Sequence, residues 1–164
     1  MIDQAIDKLK SLLLAEINPA GRLRSFKSLK KGAYKQIPTI ECPALSIAWD
    51  DNFEFESFFP LQCSFDIALC IWACATHDPD EASSMSQKLL MNLELDGSLS
   101  GLLPALIEIP NMEVANGPAG IRLRCVPEYQ STNVSHKAET GIYLSQIIVL
   151  FKCETMAGTR NNFS

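Results

Sequence analysis

Histidine is scarce in this chain, and the shortage limits its chemistry. Only His77 and His136 occur among 164 residues, each in a polar loop-like stretch. Nucleophilic and general acid–base catalysis both require a base positioned beside its partner, and neither histidine offers such a pair, so no catalytic residue is assigned. Long apolar runs are missing too. No stretch approaches the roughly 18 residues of a membrane span, and Asp3 and Asp7 stand where an export leader would be basic. The chain therefore reads as made in the cytosol, unexported and without a membrane partner. Basic charge is short as well: 14 Lys and Arg against 19 Asp and Glu give −5, the wrong sign for a domain built to grip nucleic acid. The six cysteines come without a CxxC motif and without clustered histidines, so no metal or cofactor is expected. Cys70 and Cys74 share a strand face but lie about 13 Å apart along it, too far to bridge. Cys63 falls on the opposite face, and Cys42, Cys125 and Cys153 are scattered through other apolar strands. All six are read as buried free thiols behaving as small hydrophobes.

What the sequence does have is one long strand, Leu61 to Ala75. Its odd positions, Leu61, Cys63, Phe65, Ile67, Leu69, Ile71 and Ala73, are all apolar, the period of two of a strand with a buried face. Among the even positions, Gln62, Ser64 and Asp66 are polar while Ala68, Cys70, Trp72 and Cys74 are not, so the second half is expected to be covered on both faces. At about 3.3 Å per residue the segment reaches roughly 50 Å, against roughly 17–20 Å for an ordinary strand. It is expected to outrun its own body, with a neighbouring subunit covering the backbone groups left unpaired.

The other elements follow from period and punctuation. Ile2, Ala5, Ile6, Leu9, Leu13 and Ile17 mark an amphipathic helix stopped by Asn18 and Pro19. From Arg22 to Lys35 the chain carries Arg22, Arg24, Lys27, Lys30, Lys31 and Lys35 and no acid. It reads as a strand around 23–29 followed by a turn at Lys31 and Gly32. Its lysines suit a guarded sheet edge, or a basic surface facing DNA phosphates or an acidic partner. Ala44 to Trp49 is a second strand, Asp50 to Asn52 a turn, and Phe53, Phe55, Phe58 and Phe59 lead into the long strand. Asp78, Pro79 and Glu81 start a helix expected to run to about Leu95, with Ala82, Met85, Leu89 and Leu93 buried and Asp96 and Gly97 at its end. Residues 99–106 read as a turn of helix or irregular cover. Ile107 and Ile109 begin a strand that continues from Met112 to a hairpin turn at 116–120. Ile121 to Val126 presents Arg122 and Arg124 on one face, a solvated or intersubunit surface. Residues 127–140, with Tyr129, His136 and Lys137, form a polar loop where partner contacts would be sought. Ile142 to Cys153 is a strand expected beside Leu61 to Ala75, and 156–164 is a polar tail. The sum is an α+β fold in one domain over 1–155, with a twisted, mainly antiparallel sheet of about four to six strands, two helices packed on it and an extended β-hairpin.

In this order of elements, most visibly the first helix, LQCSFDIALCIWACATHDPDEASSMSQKLL and the closing GIYLSQIIVLFKC, the chain resembles the tail terminator, or tail-completion, proteins of long-tailed bacteriophages. The resemblance implies a structural virion protein that forms a hexameric ring on the tail tube, ends its polymerisation and meets the neck or head-completion proteins. Its partners would be copies of itself, the tail tube protein and a neck protein, and its place the head-proximal end of the tail. Phe53, Phe55, Phe58, Phe59, Trp72, Arg122 and Arg124 would then lie at subunit interfaces. The basic residues of 22–35 would face the lumen or a partner. DNA would pass through that lumen without sequence-specific binding, since six copies carry six times the net charge of −5. Another neck or tail tube component, a small-molecule-binding α+β protein and a plain DNA-binding module are the alternatives.

Overall fold

The computed structural model describes residues 2–34, 37–58, 61–74, 79–108, 112–116, 121–131, 137–139 and 142–155. Helix α1 spans Ile2–Ala15, and strand β1 (Ser28–Lys31) and a short 3-10 turn (Thr39–Glu41) follow it. Two long strands come next, β2 (Ala44–Phe58) and β3 (Leu61–Cys74). After them stand α2 (Pro79–Leu90), the two-residue strands β4 (Asn92–Leu93) and β5 (Leu99–Ser100), and α3 (Leu102–Ile107). The last described elements are β6 (Met112–Asn116), β7 (Ile121–Ser131), β8 (Lys137–Glu139) and β9 (Ile142–Thr155). The class is α+β, with three α-helices among the described residues where two were expected. Among the described residues the main sheet has seven strands, against about four to six expected, in the order β1-β2-β3-β9-β7-β6, with β8 also on β9. Among the described strands, only β1 and β2 pair in parallel. No helix among the described residues is long and apolar enough to cross a membrane.

The alternation in β3 does what its period requires. Phe65, Ile67, Leu69, Ile71 and Ala73 are buried and form one core with Ala5, Ile6, Leu9 and Leu13 of α1, Leu89 of α2, and Leu102, Ala105 and Leu106 of α3. All three helices therefore contribute to one face of the sheet. Fully burying a side chain of this size stabilises by about 1.5–3 kcal/mol, so a few such positions outweigh any single surface interaction. On the second face Trp72 packs with Ile37, Cys42 and Ala44, and Cys70 lies against them. The expectation of a second covered face thus holds at Trp72, whereas Asp66 is exposed.

One expectation fails in an instructive way. Strand β3 is flanked on both edges along most of its length: β2 pairs with it from Ala44↔Trp72 to Phe58↔Leu61, and β9 pairs with it from Gln62↔Glu154 to Cys74↔Ile142. Its length is matched from within, because β2 and β9 are as long as β3. The turn expected at 50–52 is not a turn. Asp50, Asp51 and Asn52 stand opposite Asp66 alone, between the pairs Trp49↔Ile67 and Phe53↔Phe65. Two extra residues on one strand leave the side-to-side alternation intact, so a bulge absorbs them and Phe53 keeps the face of Ile47.

Four further boundaries move. The segment 21–25 is a series of turns that buries Leu23, and the strand there begins only at Ser28. Helix α2 stops at Leu90, short of Leu95, and the chain then pairs Leu93 with Leu99 around a turn at Asp96 and Gly97. The Asp96 carboxylate accepts from Ser98 N at 2.9 Å and from Ser98 Oγ at 2.6 Å, and Gly97 takes φ 84, which favours glycine. The buried stripe of α2 runs through Ser86 and Leu89, whereas Met85 and Leu93 are exposed. Ile107 ends a helix rather than starting a strand. The loop expected over 127–140 is partly strand, since β7 continues to Ser131 and β8 occupies 137–139. Asp78 and His77 lie outside the described residues, as do the hairpin turn at 117–120 and the tail 156–164.

Candidate functional site

The basic segment is the first candidate, and four of its six basic residues are paired inside the chain. Arg22 donates through Nη1 to the Leu99 carbonyl at 2.8 Å and through Nη2 to Glu108. Arg24 Nη2 meets Glu94 Oε1 at 2.9 Å, and Lys30 Nζ meets Glu41 Oε2 at 2.5 Å. Lys31 Nζ sits between Asp7 at 2.6 Å and Asp3 at 3.4 Å, and lies 5.4 Å from the centre of the Trp49 ring. The hydrogen bonds to Glu108, Glu41 and Asp7 raise the pKa values of Arg22, Lys30 and Lys31 respectively. Such solvent-screened pairs contribute little to stability. Their consequence is electrostatic: a stretch basic in sequence presents far less free positive charge to a phosphate backbone than its composition suggests. Lys27 is exposed, and no ion pair among the described residues involves it. Lys35 lies outside the described residues.

Glu94 is the hub of the small β4–β5 hairpin. Its Oε1 accepts from Ser100 Oγ at 2.5 Å and Asn92 Nδ2 at 3.0 Å as well as from Arg24. The Ser100 hydrogen bond leads, with Asn92 and Arg24 behind it, in holding the Glu94 carboxyl below its ordinary pKa. An open depression beside it is lined by Ile17, Pro19, Arg24, Phe26, Asn92 and Glu94. Its two charged residues are paired with each other. The hairpin also exposes apolar side chains: Leu93 is 70% and Leu95 108% exposed, and Leu99 of the facing strand is exposed too. The sequence hides this surface, because helical spacing puts Leu93 on the buried stripe of a longer helix.

Trp72 does not belong to an outer surface. It is 4% exposed, and its indole Nε1 donates to Ser46 Oγ at 2.9 Å. That hydrogen bond satisfies the one polar atom of the ring, so an intersubunit role for Trp72 is corrected to a place inside the chain. Phe53, Phe55 and Phe58 stand on β2 at the register positions of Phe65, Cys63 and Leu61. Phe59 is outside the described residues. On β7, Arg122 is opposite Ala115, and Arg124 lies between Glu113 of β6 and Glu154 of β9. Tyr129 is opposite Val149 and Lys137 opposite Leu144. Both are strand residues rather than loop residues, and His136 lies outside the described residues.

Among the described residues the longest unpaired edge of the sheet is on β2. Strand β1 covers only Ala44 to Ile47, and no described strand pairs with β2 on that side from Ala48 to Phe58. This stretch, AWDDNFEFESF, carries Asp50, Asp51, Glu54 and Glu56 and no basic residue. No protein-family model matches the chain, and no curated protein matches it.

Proposed function

We propose that the protein is a structural subunit that works by assembling with copies of itself, as the ring at the head-proximal end of a phage tail. In that role it caps the tail tube, ends its growth and presents a surface to the neck. The observation that carries the proposal is the outer edge of β2 beyond Ile47, a long run of strand whose outward backbone groups have no described partner strand. Like charges directly opposite each other oppose strand pairing, so two copies of this acidic edge do not pair symmetrically. A different surface of the neighbour has to meet it. Such head-to-tail contacts generate rings where the rotation closes. The exposed leucines of the β4–β5 hairpin supply apolar area for such a contact. With the edges of β3 paired from within, its length no longer argues for a ring, and the proposal rests on β2 and on the resemblance in element order. The reading of Arg22 to Lys35 as a lumen surface weakens with the internal ion pairs, leaving Lys27 as the exposed basic residue that no ion pair among the described residues involves.

Tail tubes assembled in vitro test the role. Added protein is expected to cap tubes at one end and stop their elongation, with the cap visible in negative stain. Tubes that elongate unchanged and bear no cap would contradict it.

A further inference from the structure

Three of the six cysteines, scattered in sequence, stand in one transverse row of the sheet. Cys63 of β3 is the register partner of Cys153 of β9, which on its other side is the register partner of Cys125 of β7. Register partners share a sheet face, with Cβ atoms about 4.5–5.5 Å apart. Their Cα atoms are about 4.5 or 5.5 Å apart, both within the roughly 4.4–6.8 Å that a disulfide spans. The outer two, Cys63 and Cys125, are two strands apart, about 9.5 Å, and fall outside it. That spread also argues against a zinc site, whose thiolates must all come within about 2.3 Å of one ion.

We propose that Cys63, Cys153 and Cys125 form a thiol–disulfide site in which Cys153 bonds one neighbour at a time and the third cysteine remains a thiol. The two bonds open to Cys153 are not equivalent. A residue in an antiparallel strand sends its N–H and C=O to the same side, so Cys153 forms a hydrogen-bonded pair with one neighbour and a non-hydrogen-bonded, closer pair with the other. The closer pair is the preferred disulfide. Oxidation needs only a small-molecule disulfide. A thiolate of the row attacks it and releases one thiol, and the neighbouring thiolate then attacks the mixed disulfide and releases the second. Two protein thiols and one reagent disulfide become one protein disulfide and two reagent thiols, with two electrons and two protons passing to the reagent. The product ties β9 to β3 or to β7, and the remaining thiol can exchange the bond to the other side.

The test equilibrates the folded protein with glutathione disulfide, blocks free thiols by alkylation and maps the digested peptides. Two of the six thiols are expected to disappear, with Cys153 linked to Cys63 or Cys125 and no link between those two. Cys153→Ser is expected to keep all its remaining thiols. The proposal is overturned if all six thiols persist, if the intramolecular link involves Cys42, Cys70 or Cys74, or if folded Cys153→Ser still closes a bond. Should Cys153→Ser fail to fold, the map of the unsubstituted protein decides alone.

Discussion

Ser46 carries more weight than a small hydroxyl on a strand would suggest, because Trp72 has its indole N–H buried against it. Ser46→Ala leaves that donor without its acceptor and is expected to cost about 1–3 kcal/mol, read as a lower midpoint in urea unfolding. The same hydroxyl touches the pKa of Cys70, whose thiol is pushed up by burial and only partly brought back by Ser46. A thiol with a raised folded pKa contributes stability that is full below the ordinary thiol range and is lost as pH rises through the folded value. Cys70 is accordingly expected to alkylate more slowly in the folded protein than in urea at the same pH. Glu94 behaves with the opposite sign. Its carboxyl is held down mainly by Ser100, so its contribution is present above the ordinary carboxylate range and is lost as pH falls through the lowered value. An NMR titration of Glu94 is expected to move upward in Ser100→Ala; an unmoved titration would show that Ser100 does not hold the carboxylate.

At the scale of elements, helix α1 and the chain around Gly101 offer the clearest tests. Leu9 is buried against β3 and Leu14 is 51% exposed, so Leu9→Ala is expected to cost about 2–5 kcal/mol and Leu14→Ala about 0.5 kcal/mol or less. Gly101 adopts φ +110, and a Cβ there would stand 2.8 Å from the Leu90 carbonyl oxygen and 2.9 Å from that of Leu89. Gly101→Ala therefore forces the C-terminal end of α2 away from α3 and is expected to destabilise by at least about 1–3 kcal/mol, measured by thermal or chemical unfolding. Elements with a strong local period were legible in the sequence: α1 from its apolar stripe, β3 from its unbroken odd positions, β9 from its apolar run. The rest was decided by partners far away along the chain. Asp50 to Asn52 has turn chemistry, yet pairing with β3 on both sides holds it extended. Residues 127–131 look like a loop but are strand because β9 lies alongside. Helix α2 stops early because Asn92 and Leu93 pair with Leu99 and Ser100, a contact no helical period reveals. The cysteine row stayed hidden for the same reason, since strand order and register, not spacing, bring Cys63, Cys153 and Cys125 together. The ion pairs of Arg22 to Lys35 likewise depend on Asp7, Glu41, Glu94 and Glu108, none of which neighbours that segment in sequence.

For the molecule as a whole, the question is what meets the open side of β2. An acidic edge that pairs with a dissimilar surface depends on its charge, whereas a solvated edge does not. Joint substitution Glu54→Lys and Glu56→Lys is expected to weaken assembly while leaving the unfolding midpoint of the isolated chain nearly unchanged, since Glu54 is exposed. Unchanged assembly in that variant would place the contact elsewhere. The most direct measurement is the molar mass of the purified protein by light scattering across a wide concentration range, paired with averaged negative-stain images of the same sample. The account predicts a closed ring of several copies, six by the resemblance to tail terminators. A single copy at every concentration, unchanged when tail tube protein is added, would contradict it.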